Sequence, residues 1–308
     1  MAHFAGMAAS VRVIGVGAEI DRLFSGQPAA LPIPGPPGQD DLRDLYDALA
    51  GPLRGGEAVI VILGDWLPED ALRGVRTVHS LLQTDRVAVH VTSLPPLATS
   101  VLAALAAALA PAAPSAGALA GALEIVADEL YVLAWTGSVA GLQHPSVSLL
   151  HHARSLLPGS AFGVGLQPEV FVQSVSREPT VPLEPCEHQL QLLVAPTDSS
   201  ELSWVLDVVA PALGGVPVRE LAPTMHGPGW WGSSRLVEVV GVPSSLEWLA
   251  EVAFSDAPVP CSWCGEPILA APCPFCGEAA APGATRSPHD RPGVLASGAR
   301  EGEAGGQA

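Results

Sequence analysis

The residues of this 308-residue chain with the most telling spacing are its cysteines. Four of the five form two matching half-sites, Cys261-Ser-Trp-Cys264-Gly265 and Cys273-Pro-Phe-Cys276-Gly277, with eight residues between Cys264 and Cys273. A CxxCG segment places two thiolates on one tight turn, and its glycine relieves the backbone where amides point at sulfur. Two such turns facing each other close a tetrahedral four-sulfur site.

The segment Pro260 to Glu278 resembles the zinc-ribbon family, in its paired-knuckle form with a CPxCG half. The resemblance covers only about twenty residues. It implies that Cys261, Cys264, Cys273 and Cys276 are structural zinc ligands, and four thiolates leave no open position for catalysis. Two disulfides, or iron of the rubredoxin kind, are the rival uses of the same residues. PCxxC occurs twice, as in the zinc deaminases, but no histidine here has a glutamate two places on, so the proton-moving half of that chemistry is missing. The chain has neither HExxH nor a G-x-S-x-G elbow. All 14 cations are arginines, and there is no lysine and no asparagine. That excludes a Walker phosphate loop, Schiff-base chemistry and a Cys-His-Asn triad.

Outside the ribbon the candidates are weaker. Gly15-Val16-Gly17 follows a strand, but Ile20 stands where a dinucleotide loop needs its third glycine. Cys186, with Glu187 and His188 beside it, could be a nucleophile, but adjacent residues on an extended chain point to opposite faces and closeness in sequence says little, so a buried or incidental cysteine is the other reading. Two acid-bearing turns, at Asp65 and at Asp198, fall at strand C-termini, where parallel sheets bind ligands. Helix capping also accounts for the spacing Asp198 to Glu201, and for Ser244 to Glu247. The loop His226-Gly-Pro-Gly-Trp230-Trp231-Gly-Ser-Ser-Arg235 sets two tryptophans and an arginine among glycines, the composition of a contact surface, with local packing against the ribbon's Trp263 as the other reading.

These residues need a scaffold, and the pattern supplies an α/β one. Apolar runs at Val11 to Gly17, Glu57 to Gly64 and Arg86 to Thr92 alternate with helical periods at Asp40 to Leu49 and Pro68 to Leu82. Continuous apolar strands predict a mainly parallel sheet with flanking helices. The organisation expected is an α/β lobe over 1–178, a smaller α/β lobe over 179–257, a zinc ribbon over 258–278 and a disordered tail over 279–308. Residues from Val87 to Leu123 carry no charge, but prolines on both sides leave a helix too short to span a bilayer. The net charge of −17 argues against nucleic acid and anionic membranes as partners, and with no cationic leader in sight a cytoplasmic location is expected. The role expected first is a binding or scaffold component that engages a protein partner. The second is an enzyme or small-ligand sensor with a cleft at the strand ends, contacted by Asp65, Asp198, His226 and Arg235.

Overall fold

The computed structural model describes residues 10–18, 31–33, 39–157, 159–175, 181–185, 188–198 and 201–278. Cys186 and the expected tail fall outside them. The first sheet is parallel throughout, in the order β2 (Leu31–Ile33), β1 (Val11–Val16), β3 (Ala58–Gly64), β4 (Val87–Thr92). Every residue of β3 is buried, as a parallel strand covered on both faces must be, and its sequence AVIVILG accordingly has no polar side. Successive side chains divide between two cores. Val59, Val61 and Leu63 pack against α1 (Gln39–Arg54) and α2 (Glu69–Leu82), while Ile60 and Ile62 face α3 (Pro96–Leu109).

The second sheet is mixed. Its order is β7 (Phe171–Ser174), β6 (Phe162–Gln167), β5 (Tyr131–Thr136), β10 (Leu236–Pro243), β8 (Leu190–Pro196), β9 (Val218–Glu220). Only β8 and β9 run parallel, joined through a helical crossover; the other neighbours are antiparallel. Connection length explains one of these pairings. Three residues join β6 to β7, enough for a hairpin and far too few for a parallel return. The α/β class holds, and the change of sheet falls between β4 and β5, so strands within residues 131–174 pair with those of 190–243. The crossover after β8 is irregular, with a π-helical stretch at Val205–Val209 ahead of α7 (Ala210–Ala212), where Pro211 has no N–H to give the preceding turn.

Helix α3 is the layer between the sheets. All 14 of its residues are buried. One core joins its leucines and alanines to Val13, Ile60 and Ile62 of the first sheet and to Leu193, Ala195, Val240 and Val242 of the second. This is where the uncharged Ala-Leu run goes, and no helix among the described residues is long and apolar enough to cross a membrane. Its small side chains let two sheets approach one helix. Next come α4 (Ala116–Gly121), capped by the Ser115 hydroxyl accepting from Ala118 N–H, and α5 (Leu123–Asp128). Two further serines cap helices: Ser148, whose hydroxyl accepts from His151 N–H at the start of α6 (Leu149–Ser155), and Ser245, one residue beyond the expected Ser244, whose hydroxyl accepts from Trp248 N–H at the start of α9 (Leu246–Ala253).

The cysteine segment carries a small hairpin, β11 (Val259–Pro260) with β12 (Pro267–Ile268), and docks on α4. Ser115 Oγ donates to Pro267 O at 2.6 Å, and Gly117 N–H donates to Glu266 Oε1 at 2.8 Å. A Cβ at Gly117 would lie 2.5 Å from Pro267 O. Backbone against backbone cannot yield there, so Gly117→Val is expected to detach the hairpin and cost about 1–3 kcal/mol of stability. Chemical denaturation measures the cost, and faster amide exchange confined to α4 and residues 259–278 shows where it falls.

Candidate functional site

A cleft of about 910 Å³ opens at the C-terminal ends of β3 and β4. The first sheet brings Asp65 and Trp66 from the turn after β3, and Ser93, Leu94 and Pro95 from the turn after β4. The main chain fixes both turns: Asp65 N–H donates to Thr92 O at 2.8 Å, and Trp66 Nε1 donates to Leu94 O at 2.9 Å. The opposite wall comes from the second sheet, with Gln143 and His144 after β5 and Leu166 and Gln167 at the end of β6. His226, Gly229 and Trp230 close it from the loop between β9 and β10. His226 lies against Trp66, ring centroids 5.1 Å apart, and Trp230 meets Trp231 edge to face at 4.7 Å. The cleft thus has aromatic walls, polar groups around them, and loops from both sheets.

One buried acid organises that wall. Glu238 lies in β10, 2 % exposed, on the face of the strand that looks toward α3. Its Oε1 accepts from Leu97 N–H in the first turn of α3 and from Trp231 Nε1, each at 3.2 Å. Its Oε2 accepts from the Thr224 hydroxyl, which in turn accepts from Gly227 N–H at 3.0 Å. The first turn of a helix leaves backbone donors unmatched and carries partial positive charge, so an acid is at home there. Glu238 therefore ties the loop bearing His226 and Trp230 to the end of α3 that underlies Ser93 and Leu94. The short helix α8 (Gly227–Trp230) is held by this bond through Thr224.

The expected contact residues separate into two groups. Asp65, His226 and Trp230 meet in the cleft. Trp231 is fully buried, placed there by its bond to Glu238. Arg235 and Asp198 lie on the other side of the sheet ends: Arg235 pairs with Glu201 at 2.5 Å and sits 5.2 Å over the Trp135 ring, and the Asp198 carbonyl accepts from Glu201 N–H. Sequence reasoning missed Ser93, His144, Gln167 and Glu238. Ser93 obeys the strand-end rule that picked out Asp65. Glu238 is a single acid in the apolar run LVEVVGVP, a signal in itself, since a buried acid must have partners.

The four cysteines form the other centre. Their sulfurs all lie within 4.8 Å of one another, with Cys261 to Cys276 at 3.6 Å and Cys264 to Cys273 at 3.7 Å. Four ligands at the usual zinc–sulfur distance on a tetrahedron are about 3.8 Å apart, so the group could hold a metal ion. Gly265 and Gly277 both have φ of +75°, the left-handed turn each CxxCG half requires. Backbone N–H groups of Cys264 and Trp263 pull the Cys261 thiol down to about 7, while burial pushes Cys264 up to about 12. Trp263 itself is 80 % exposed and does not pack on the Trp230 loop.

No protein-family model matches the sequence, and no curated protein matches it. Solved structures match the fold. A DegV family protein from Corynebacterium glutamicum superposes with a TM-score of 0.51 at 12% identity, covering 77% of this chain and 98% of that one. A DegV family protein from Eubacterium eligens, loaded with heptadecanoic acid, gives 0.50 at 10% identity over 77% and 100% of the two chains. A fatty-acid-binding DegV family protein from Thermus thermophilus gives 0.51 at 10% identity over 76% and 99%. At such identity the likeness establishes the α/β fold. It also overturns the first expectation, a zinc-ribbon scaffold engaging a protein partner: the Eubacterium eligens neighbour is loaded with heptadecanoic acid and the Thermus thermophilus neighbour binds fatty acid.

Because Glu238 meets three donors from two distant segments, removing it leaves them buried and unpaired. Glu238→Leu is expected to cost about 3 kcal/mol in a denaturation experiment. Glu238→Gln, which keeps an accepting oxygen, is expected to cost about half as much.

Proposed function

We propose that the protein binds one small amphipathic molecule of the fatty-acyl class in the cleft between its two sheets. The observation that carries this reading is the cleft itself. Its volume of about 910 Å³ falls in the range of small-molecule sites, about 300–1,000 Å³. It stands at the C-terminal ends of parallel strands and is walled by Trp66, Leu94, Leu166 and Trp230, surfaces that suit an acyl chain. The likeness of fold to the Eubacterium eligens and Thermus thermophilus proteins supports the acyl class. Trp66 and Trp230 hold the apolar part of the ligand, and Ser93, His144, Gln167 and His226 offer hydrogen bonds to its polar end. Titration with decyl-chain amphiphiles is expected to change tryptophan fluorescence and saturate at one molecule per chain. Trp230→Ala is expected to weaken binding about tenfold, or about 1.4 kcal/mol. A linear, non-saturating response would refute the proposal.

The cysteine cluster is proposed to hold one structural zinc ion, on Cys261, Cys264, Cys273 and Cys276. The sulfur spacing and the two left-handed glycines support this. The hydrogen bonds from Ser115 and Gly117 give the ion a structural role, since by fixing the hairpin it braces α4. Elemental analysis of protein purified under reducing conditions is expected to find close to one zinc per chain, lost in Cys276→Ser. Chelation is expected to speed amide exchange at Gly117, whose N–H loses a fixed partner. Absence of metal, or unchanged exchange after its removal, would count against this role.

A further inference from the structure

We propose that Trp66 is a fixed plug in the crevice at the strand ends of the first sheet, and that it sets the length of acyl chain the cleft accepts. The inference rests on the ligand-binding reading above and adds a limit on the chain.

Strand order shows where the crevice falls. From β1 the neighbours in the sheet are β2 on one side and β3 on the other, so the order β2, β1, β3, β4 changes direction between β1 and β3. Open α/β sheets bind ligands at such a point, beyond the carboxyl ends of the strands. The last pair of these two strands is Val16 with Leu63. The next residues are Gly17 and Gly64, so two positions without side chains stand together at the mouth of the crevice.

Trp66 fills the space they leave. A Cβ at Gly64 would overlap Nε1 and Cε2 of the indole, and one at Gly17 would lie 3.6 Å from Cη2 at its far edge. The ring therefore reaches from the end of β3 to the end of β1, and its contacts hold it there. Nε1 donates to Leu94 O at 2.9 Å, and that carbonyl also accepts from the Thr99 hydroxyl at 2.8 Å. The ring packs on the core shared with α1 and α2, and His226 lies on it with centroids 5.1 Å apart.

An acyl chain lying in the cleft against Leu94, Leu166 and Trp230 could continue past the first sheet in two directions. Down between the sheets it meets α3, all 14 residues of which are buried, and a close-packed core does not yield to it. Along the strand ends it meets the indole, since Trp66 lines the cleft and the two glycines lie behind it. Beneath that one side chain is bare backbone, which offers nothing to refill the space. Trp66 is thus the residue whose size decides how far an acyl chain runs.

A series of saturated fatty acids tests this: octanoate, decanoate, dodecanoate, tetradecanoate and hexadecanoate, each titrated below its micelle concentration against the full chain, Trp66→Ala and Trp66→Phe. Calorimetry is the readout, because Trp66 is itself a fluorophore. In the unaltered protein each added methylene is expected to tighten binding about fourfold until the chain meets the indole, and to add almost nothing beyond that length. In Trp66→Ala the rise is expected to continue to a longer member of the series. Trp66→Phe, which keeps a ring over the two glycines, is expected to stop at the same member as the unaltered protein. Trp66→Leu, which keeps an apolar side chain for packing, makes the same test as the alanine variant if that variant does not fold. Affinity that climbs unbroken to hexadecanoate in the unaltered protein would overturn the inference and leave the ligand-binding reading standing. So would the same stopping length in a folded Trp66→Ala or Trp66→Leu, because the end wall would then lie elsewhere. If no member of the series saturates, the ligand-binding reading falls, and the inference with it.

Discussion

A helix buried on every side has to have the N–H groups of its first turn satisfied by the protein, and in this fold one buried carboxyl group takes part of that task. Helix α3 fills the space between two sheets with all of its residues out of water. Its sides present no difficulty, since Ala and Leu bury freely and each fully buried leucine contributes about 1.5–3 kcal/mol. Its first turn is different, because the N–H groups there have no partner within the helix. Glu238 supplies one from the other sheet. The same group anchors Thr224 and Trp231, so the loop that forms one wall of the cleft is fixed relative to the helix beneath the opposite wall. The cost of burying an acid is offset by three donated hydrogen bonds, and the result is a cleft whose two sides are held in register.

The C-terminal hairpin works on the same layer from the opposite end. Leu269 and Phe275 pack on the core that surrounds α3, and Glu266 and Pro267 bond to the first turn of α4. A segment with so little apolar material of its own cannot hold a shape by burial alone, which is why a four-cysteine site belongs there. The motif that dominates the sequence thus docks on α4, while the cleft is built from loops with no motif at all.

That contrast explains what could be read in advance. The cysteine half-sites were legible because their chemistry is local: two ligands and a glycine within five residues. The parallel first sheet was legible because burial on both faces leaves continuous apolar strands, as in AVIVILG. Asp65, His226 and Trp230 could be found through the strand-end rule and the unusual composition of their loop, and they do meet. Trp231, for which contact and local packing were both open, is buried, its partner an acid seven positions on that points inward from a strand. The bond from Leu97 to Glu238 joins residues 141 apart, and no local pattern announces it. The antiparallel pairing of β5, β6 and β7 was obscured by an alternation that looked like a continuing βα series, although the three-residue link between β6 and β7 already required a hairpin.

The central claim is that the cleft between the sheets holds a small amphiphile, one to a chain. Native mass spectrometry of protein freshly purified from its own cells tests it most directly, because a ligand retained by the cleft adds its mass to the folded chain and leaves on denaturation. The account predicts a single adduct beyond any metal, released intact on unfolding, extractable into organic solvent and diminished in Trp230→Ala. A folded chain carrying metal and nothing else, which also fails to take up any decyl amphiphile when it is supplied, would contradict it.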